Sequence, residues 1–119
     1  MAGTSRKAKV LVGDAEQTLL ELGKDLQGMQ VDGIFIDGNK GAYVEYLNWA
    51  EKHVRPGGLI VGDNVFLRGQ VFNGSKEGSF GAGQISAMQE FNRRLADTKR
   101  YQSVILPTGE GLFVAKFLG

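Results

Sequence analysis

A chain of 119 residues, 42% apolar and 23% charged, is long enough to bury one core and short for a two-domain protein. Fourteen Lys and Arg against thirteen Asp and Glu leave a net charge of +1, with no basic stripe to neutralise a run of phosphates, which argues against nucleic acid as a partner. The absence of Cys, of any run near the roughly 20 apolar residues of a membrane span, and of a charged-then-apolar leader predicts a single cytoplasmic domain over 1–119.

Ala8 to Val12 reads as a short first strand, its Val10-Leu11-Val12 run stopped by Gly13-Asp14. Asp14 precedes Gln17 at the spacing of a capping box, and Leu19, Leu20, Leu22 and Leu26 form a helical stripe that ends near Gly28. Val31-Asp32-Gly33-Ile34-Phe35-Ile36-Asp37 then has the composition of a strand covered on both faces. Beyond the polar break Gly38-Asn39-Lys40-Gly41, residues Tyr43, Tyr46, Leu47, Ala50 and Val54 recur at helical steps until Pro56-Gly57-Gly58.

Leu59-Ile60-Val61-Gly62-Asp63 repeats the buried-strand pattern and again finishes on an acidic residue, here followed by Asn64. Phe66 to Gly83, rich in Gly, Ser and Asn and without periodicity, is predicted to be a long mobile surface loop. Ile85, Met88, Phe91 and Leu95 mark a third helix, and Tyr101 to Leu106 pairs with Leu112 to Leu118 across Pro107-Thr108-Gly109-Glu110-Gly111. Strands alternating with helices before a closing hairpin imply an α/β fold, its sheet mainly parallel with one antiparallel strand.

In open parallel sheets ligands collect beyond the carboxyl ends of the strands, where loops and helix N-termini converge. Asp37, Asp63 and Asn64 all stand at such ends. If the two strands are neighbours through a right-handed crossover, two carboxylates and an amide meet, a donor set that suits a hard cation such as Mg²⁺. The plainer alternative is that Asp37 caps the next helix and Asp63-Asn64 makes a turn. Lys40, three residues after Asp37, either overlooks the same site and accepts a proton there or is a solvated lysine at a helix start. Gly74 to Gly83 precedes a helix without following a strand directly, so it reads as flexible loop and not as an anion cradle. His53 is expected to meet the last carbonyls of the second helix, and Trp49 to serve packing.

The runs Ile34-Phe35-Ile36-Asp37-Gly38-Asn39-Lys40, Tyr43 with Tyr46, Arg55-Pro56-Gly57-Gly58-Leu59-Ile60-Val61-Gly62-Asp63-Asn64-Val65, and Arg68-Gly69 with Val71 resemble the catechol and caffeoyl-CoA O-methyltransferase family of class I S-adenosylmethionine-dependent enzymes. Phe91-Asn92 and Leu106-Pro107-Thr108-Gly109-Glu110-Gly111-Leu112 resemble that family's closing helix and final hairpin, so the likeness covers nearly the whole chain. The resemblance implies a truncated three-layer Rossmann-like methyltransferase fold. It implies that Asp37, Asp63 and Asn64 hold Mg²⁺ or another divalent cation, that Lys40 is the catalytic base, and that a small hydroxylated, catechol-like acceptor is methylated. Gly13, Ala15 and Glu16, together with Asp37, are implied to contact S-adenosylmethionine.

Two departures accompany the likeness. Leu67 stands where family members often carry an aromatic residue, which suits the acceptor pocket less to stacking a planar ring. The family's glycine-rich turn and ribose-binding acid would lie several dozen residues before Gly13, where only Met1 to Val12 stand. The strand Ala8 to Val12 is therefore expected to slide against the second strand, giving the order first, second, third, fifth, fourth, followed by homodimerisation. A competing expectation is a non-catalytic fragment that keeps the fold and holds cofactor poorly, or a dimeric module that binds through its sheet edge.

Overall fold

A computed structural model of the chain describes residues 7–73 and 80–119. Helix α1 (Ala15–Asp25) starts where the Asp14 carboxylate accepts from the Gln17 amide, at 3.3 Å, and it closes on Leu26. Strand β1 (Val31–Ile36) follows, then a 3₁₀ turn (Lys40–Ala42) that leads into α2 (Tyr43–His53). Strand β2 (Val54–Asp63), a 3₁₀ turn (Leu67–Gly69) with the short helix α3 (Gln70–Asn73), α4 (Ala82–Leu95), and strands β3 (Tyr101–Leu106) and β4 (Leu112–Phe117) complete the order.

The sheet runs β1-β2-β4-β3, with β1 parallel to β2 and β4 antiparallel to both of its neighbours. This is the expected second, third, fifth, fourth arrangement. The expected first strand is not formed: Ala8 to Val12 pairs with nothing, and Val10 and Val12 are 86% and 94% exposed. Its apolar run satisfies the strand pattern, yet it does not slide against β1, whose outer edge stays open in the described chain.

Strand β2 begins earlier than predicted, at Val54 instead of Leu59. A bulge between Val31 and Gly33 opposite Val54 and Leu59 accommodates Arg55 to Gly58, and Gly57 takes a φ of 85° there. Phe66 to Asn73 is ordered rather than loose, because Val65 and Leu67 are buried in the core. The segment 74–79 of the predicted loop lies outside the described residues.

Helices α2 and α4 pack on one another and cover one face of the sheet. Tyr43, Leu47, Ala50, Met88, Phe91 and Leu95 meet Ile36, Ile60, Phe113 and Ala115 in a single core. Strand residues of the other parity face outward: Phe35 is 62% exposed and Leu59 and Val104 are also exposed. The runs that read as buried on both faces are thus covered on one. Helix α1 lies against α2, with the Trp49 indole donating to the Leu19 carbonyl at 2.7 Å and the His53 ring stacked on Trp49 at 4.5 Å. Trp49 serves packing as expected, whereas His53 makes this ring contact and no capping bond.

Candidate functional site

Parallel pairing places Ile36 opposite Gly62, so the carboxyl ends of β1 and β2 lie side by side and Asp37 and Asp63 leave the sheet together. Asn64 then turns the chain with a φ of 59°, a left-handed conformation that Asn tolerates better than most residues. Its backbone N–H donates to the Asp63 carboxylate at 2.8 Å. On the opposite side of the crossover, the Asn39 side chain caps the 3₁₀ turn by accepting from the Gly41 amide at 3.1 Å, which points Lys40 back over the strand ends.

Lys40 is the centre of the cluster. Its ammonium donates to Asp37 Oδ1 at 3.3 Å, to Asn64 Oδ1 at 2.9 Å and to the Tyr43 hydroxyl at 3.0 Å. The Tyr43 hydroxyl in turn donates toward the main-chain oxygens of Asp63 at 2.7 Å and Ile36 at 3.2 Å, tying both strand ends to the start of α2. Burial pushes the Tyr43 phenol well above its ordinary range, and the carboxylates of Asp37 and Asp63 raise it further. Tyr46 is raised as well, first by burial and then by the negative charges of Glu16 and Asp14.

The hairpin between β3 and β4 closes over this cluster. Phe66 and Val65 donate their backbone N–H groups to the carbonyls of Glu110 and Gly111 at 3.1 and 3.2 Å, and the Asn64 side-chain N–H₂ donates to the Glu110 carboxylate. A cavity of about 150 Å³ opens here, lined by Lys40, Asn64, Leu67, Arg68, Phe80 and Glu110. Leu67 and Arg68 both hold positive φ, of 47° and 55°, a local strain of the kind that accumulates at binding sites.

A larger apolar groove of about 340 Å³ lies on the other side of Asp37, between α1 and the edge of β1. Gly13, Ala15, Ile34, Phe35, Asp37 and Tyr46 line it. Of the residues expected to contact a cofactor, Gly13, Ala15 and Asp37 therefore share one groove. Glu16 faces a neighbouring cavity of about 140 Å³ with Leu19, Tyr46 and Trp49.

The structure thus brings together Asp37, Lys40, Asp63 and Asn64, all expected from the sequence. Among the described residues, no three His, Cys, Asp or Glu side chains cluster for a metal. The candidate set owes its third oxygen to an amide. Two carboxylates and an amide oxygen, two of these groups gathered round the positive charge of Lys40, are a donor set of the kind a hard cation takes. Tyr43 and Glu110 were not singled out for the site. Tyr43 reads as one more apolar step of a helix, and Glu110 as one polar residue in a turn.

The described residues contain no helix long and apolar enough to cross a membrane. Residues 1–118 match the family model described as O-methyltransferase. A catechol O-methyltransferase of Niastella koreensis is 34% identical over 116 residues, 96% of this chain and 52% of that protein. Among solved structures, the O-methyltransferase involved in tomaymycin synthesis in Streptomyces achromogenes, in complex with S-adenosylmethionine, superposes with a TM-score of 0.79 at 31% identity, covering 99% of this chain and 53% of the other. The O-methyltransferase of Bacillus cereus in complex with S-adenosylhomocysteine gives 0.76 at 26% identity, covering 92% and 50%. The chain spans about half the length of the relatives it matches.

Proposed function

The chain belongs to the O-methyltransferase family, and from that premise we propose that it carries the metal-binding and acceptor half of an S-adenosylmethionine-dependent O-methyltransferase acting on a small, catechol-like hydroxylated compound. The observation that carries this reading is the Lys40 ammonium held between Asp37 and Asn64, at the boundary between the apolar groove and the smaller polar cavity. The groove lined by Gly13, Ala15 and Asp37 suits the methyl donor, and the cavity lined by Lys40, Asn64, Arg68 and Glu110 suits the acceptor.

Asp37, Asp63 and Asn64 would hold Mg²⁺, which supplies positive charge that makes an acceptor hydroxyl more acidic. Once the Lys40 ammonium has released a proton to solvent, the hydroxyl gives its own proton to the neutral amine at Lys40 Nζ. Its oxygen forms a bond to the methyl carbon of S-adenosylmethionine as the carbon–sulfur bond breaks, leaving a methyl ether and S-adenosylhomocysteine. The protein's contribution is alignment: Tyr43 fixes both strand ends and Lys40 relative to one another.

The open edge of β1 supports a second reading, in which this chain keeps the cation site and holds the methyl donor weakly because no further strand flanks β1 beside the groove among the described residues. Calorimetric titration of S-adenosylmethionine into the protein, with and without Mg²⁺, separates the two. Saturable heat that depends on Mg²⁺ supports the enzyme. Silence in both titrations, with Mg²⁺ itself still bound, leaves the second reading.

A further inference from the structure

Asn64 presents one oxygen and one nitrogen on a planar group, and a rotation of half a turn exchanges them. For a cation site that exchange decides everything, since the oxygen attracts a metal and the N–H₂ repels it. Two neighbours fix the choice here. Lys40 is a donor without acceptor capacity, so the atom at 2.9 Å from its Nζ must be the oxygen. The Glu110 carboxylate accepts, so the atom facing it must be the nitrogen. Both demands select the same orientation.

Lys40 is shared for this purpose, since it binds Asp37 and Tyr43 at the same time and is also the proposed proton acceptor. Glu110 comes from a turn whose main chain is pinned. Its own carbonyl accepts from Phe66 N–H, and the next carbonyl, of Gly111, accepts from Val65 N–H, so the turn is pinned to the residues that follow Asn64. We propose that Glu110 is a positioning residue that locks the Asn64 carboxamide with its oxygen turned toward the Lys40 ammonium that Asp37 also binds, so that an arriving divalent cation meets an acceptor and not a donor. This deepens, and rests on, the assignment of Asn64 to the cation site. It gives the closing hairpin a purpose beyond covering the cavity, because the turn carries the second partner of the amide.

The test uses the whole chain, with two readouts on the wild type and on Glu110→Ala and Glu110→Gln. In metal-free protein, nuclear magnetic resonance follows the Asn64 side-chain N–H₂ pair, which is expected downfield in the wild type, lost from that position in Glu110→Ala and retained in Glu110→Gln. In the second readout Mn²⁺ is the probe, its free concentration followed by electron paramagnetic resonance. Glu110→Ala is expected to weaken Mn²⁺ binding about 10- to 100-fold, the range for partners that orient a metal ligand, while Glu110→Gln keeps most of the affinity because its amide oxygen still accepts. Equal losses in both variants overturn the proposal, since charge alone would then account for the effect. An Asn64 pair that is insensitive to Glu110→Ala also overturns it. A lock visible by resonance in a wild type that binds no Mn²⁺ upholds the positioning and removes the cation assignment instead.

Discussion

The Lys40 ammonium donates to Asp37, Asn64 and Tyr43, acceptors that come from the end of β1, the end of β2 and the start of α2. Replacing it by Ala removes the proposed base and leaves those elements in place. Lys40→Ala is expected to lower methyl transfer about 10²- to 10⁴-fold in an assay with saturating donor and acceptor, with an unchanged circular dichroism spectrum. Tyr43 has the opposite profile, because its hydroxyl serves structure. Tyr43→Phe leaves two main-chain oxygens without that donor and is expected to cost about 1–3 kcal/mol in urea denaturation. Its phenol and that of Tyr101 are raised above the ordinary 10.0, so the folded protein holds protons that the unfolded chain releases. Their contribution is complete below pH 10 and declines as the pH rises beyond it; stability measured from pH 9 to 11.5 should therefore fall, and fall less steeply in Tyr101→Phe. At this scale the gathering of Asp37, Asp63 and Asn64 was legible because they follow apolar runs whose ends topology brings together, and Lys40 because it stands three residues after Asp37. Glu110 was not, since its role depends on which loop the hairpin tip touches, and no local pattern encodes that.

Elements meet the site through the central strand. Gly62 lies one residue before Asp63, and a Cβ there would stand 2.7 Å from the fully buried Phe91 ring of α4. Gly62→Ala is expected to destabilise by about 1–3 kcal/mol and to disturb cation binding with it, as seen by thermal unfolding with and without Mn²⁺. Farther from the site, Glu51 of α2 accepts from Arg94 of α4 and from Tyr101 of β3, and pairs with Arg100 at 3.1 Å. Arg94 also donates to Asn48 at 2.7 Å. Glu51→Ala therefore loosens two helices and a strand at once and should cost about 2 kcal/mol by denaturant titration, through lost bonds to charged groups. Helices α2 and α4 and the hairpin were predictable from period and turn residues. The early start of β2 was not, because Pro56-Gly57-Gly58 has the composition of a break and becomes strand only through the bulge against Val31 and Gly33. Val10-Leu11-Val12 shows the converse: a strand-like run remains unpaired although the edge of β1 is open.

Among the described residues the sheet has two edge strands, β3 of the closing hairpin and β1, and of these β1 borders the apolar groove. An open edge beside exposed Phe35 and an apolar groove invites pairing with another chain. Self-association through this edge is the expected outcome, measured by sedimentation, and Phe35→Lys should shift the population to monomer without changing the fold. That edge position also divides the proposed cation site mechanically. Asp63 and Asn64 end a strand braced from both flanks, whereas Asp37 follows an edge strand with one neighbour, whose amides should exchange with solvent sooner than those of β2. Whatever comes to lie along β1 will steady Asp37 without touching it, so the grip on an ion becomes a gauge of whether the border of the sheet is occupied.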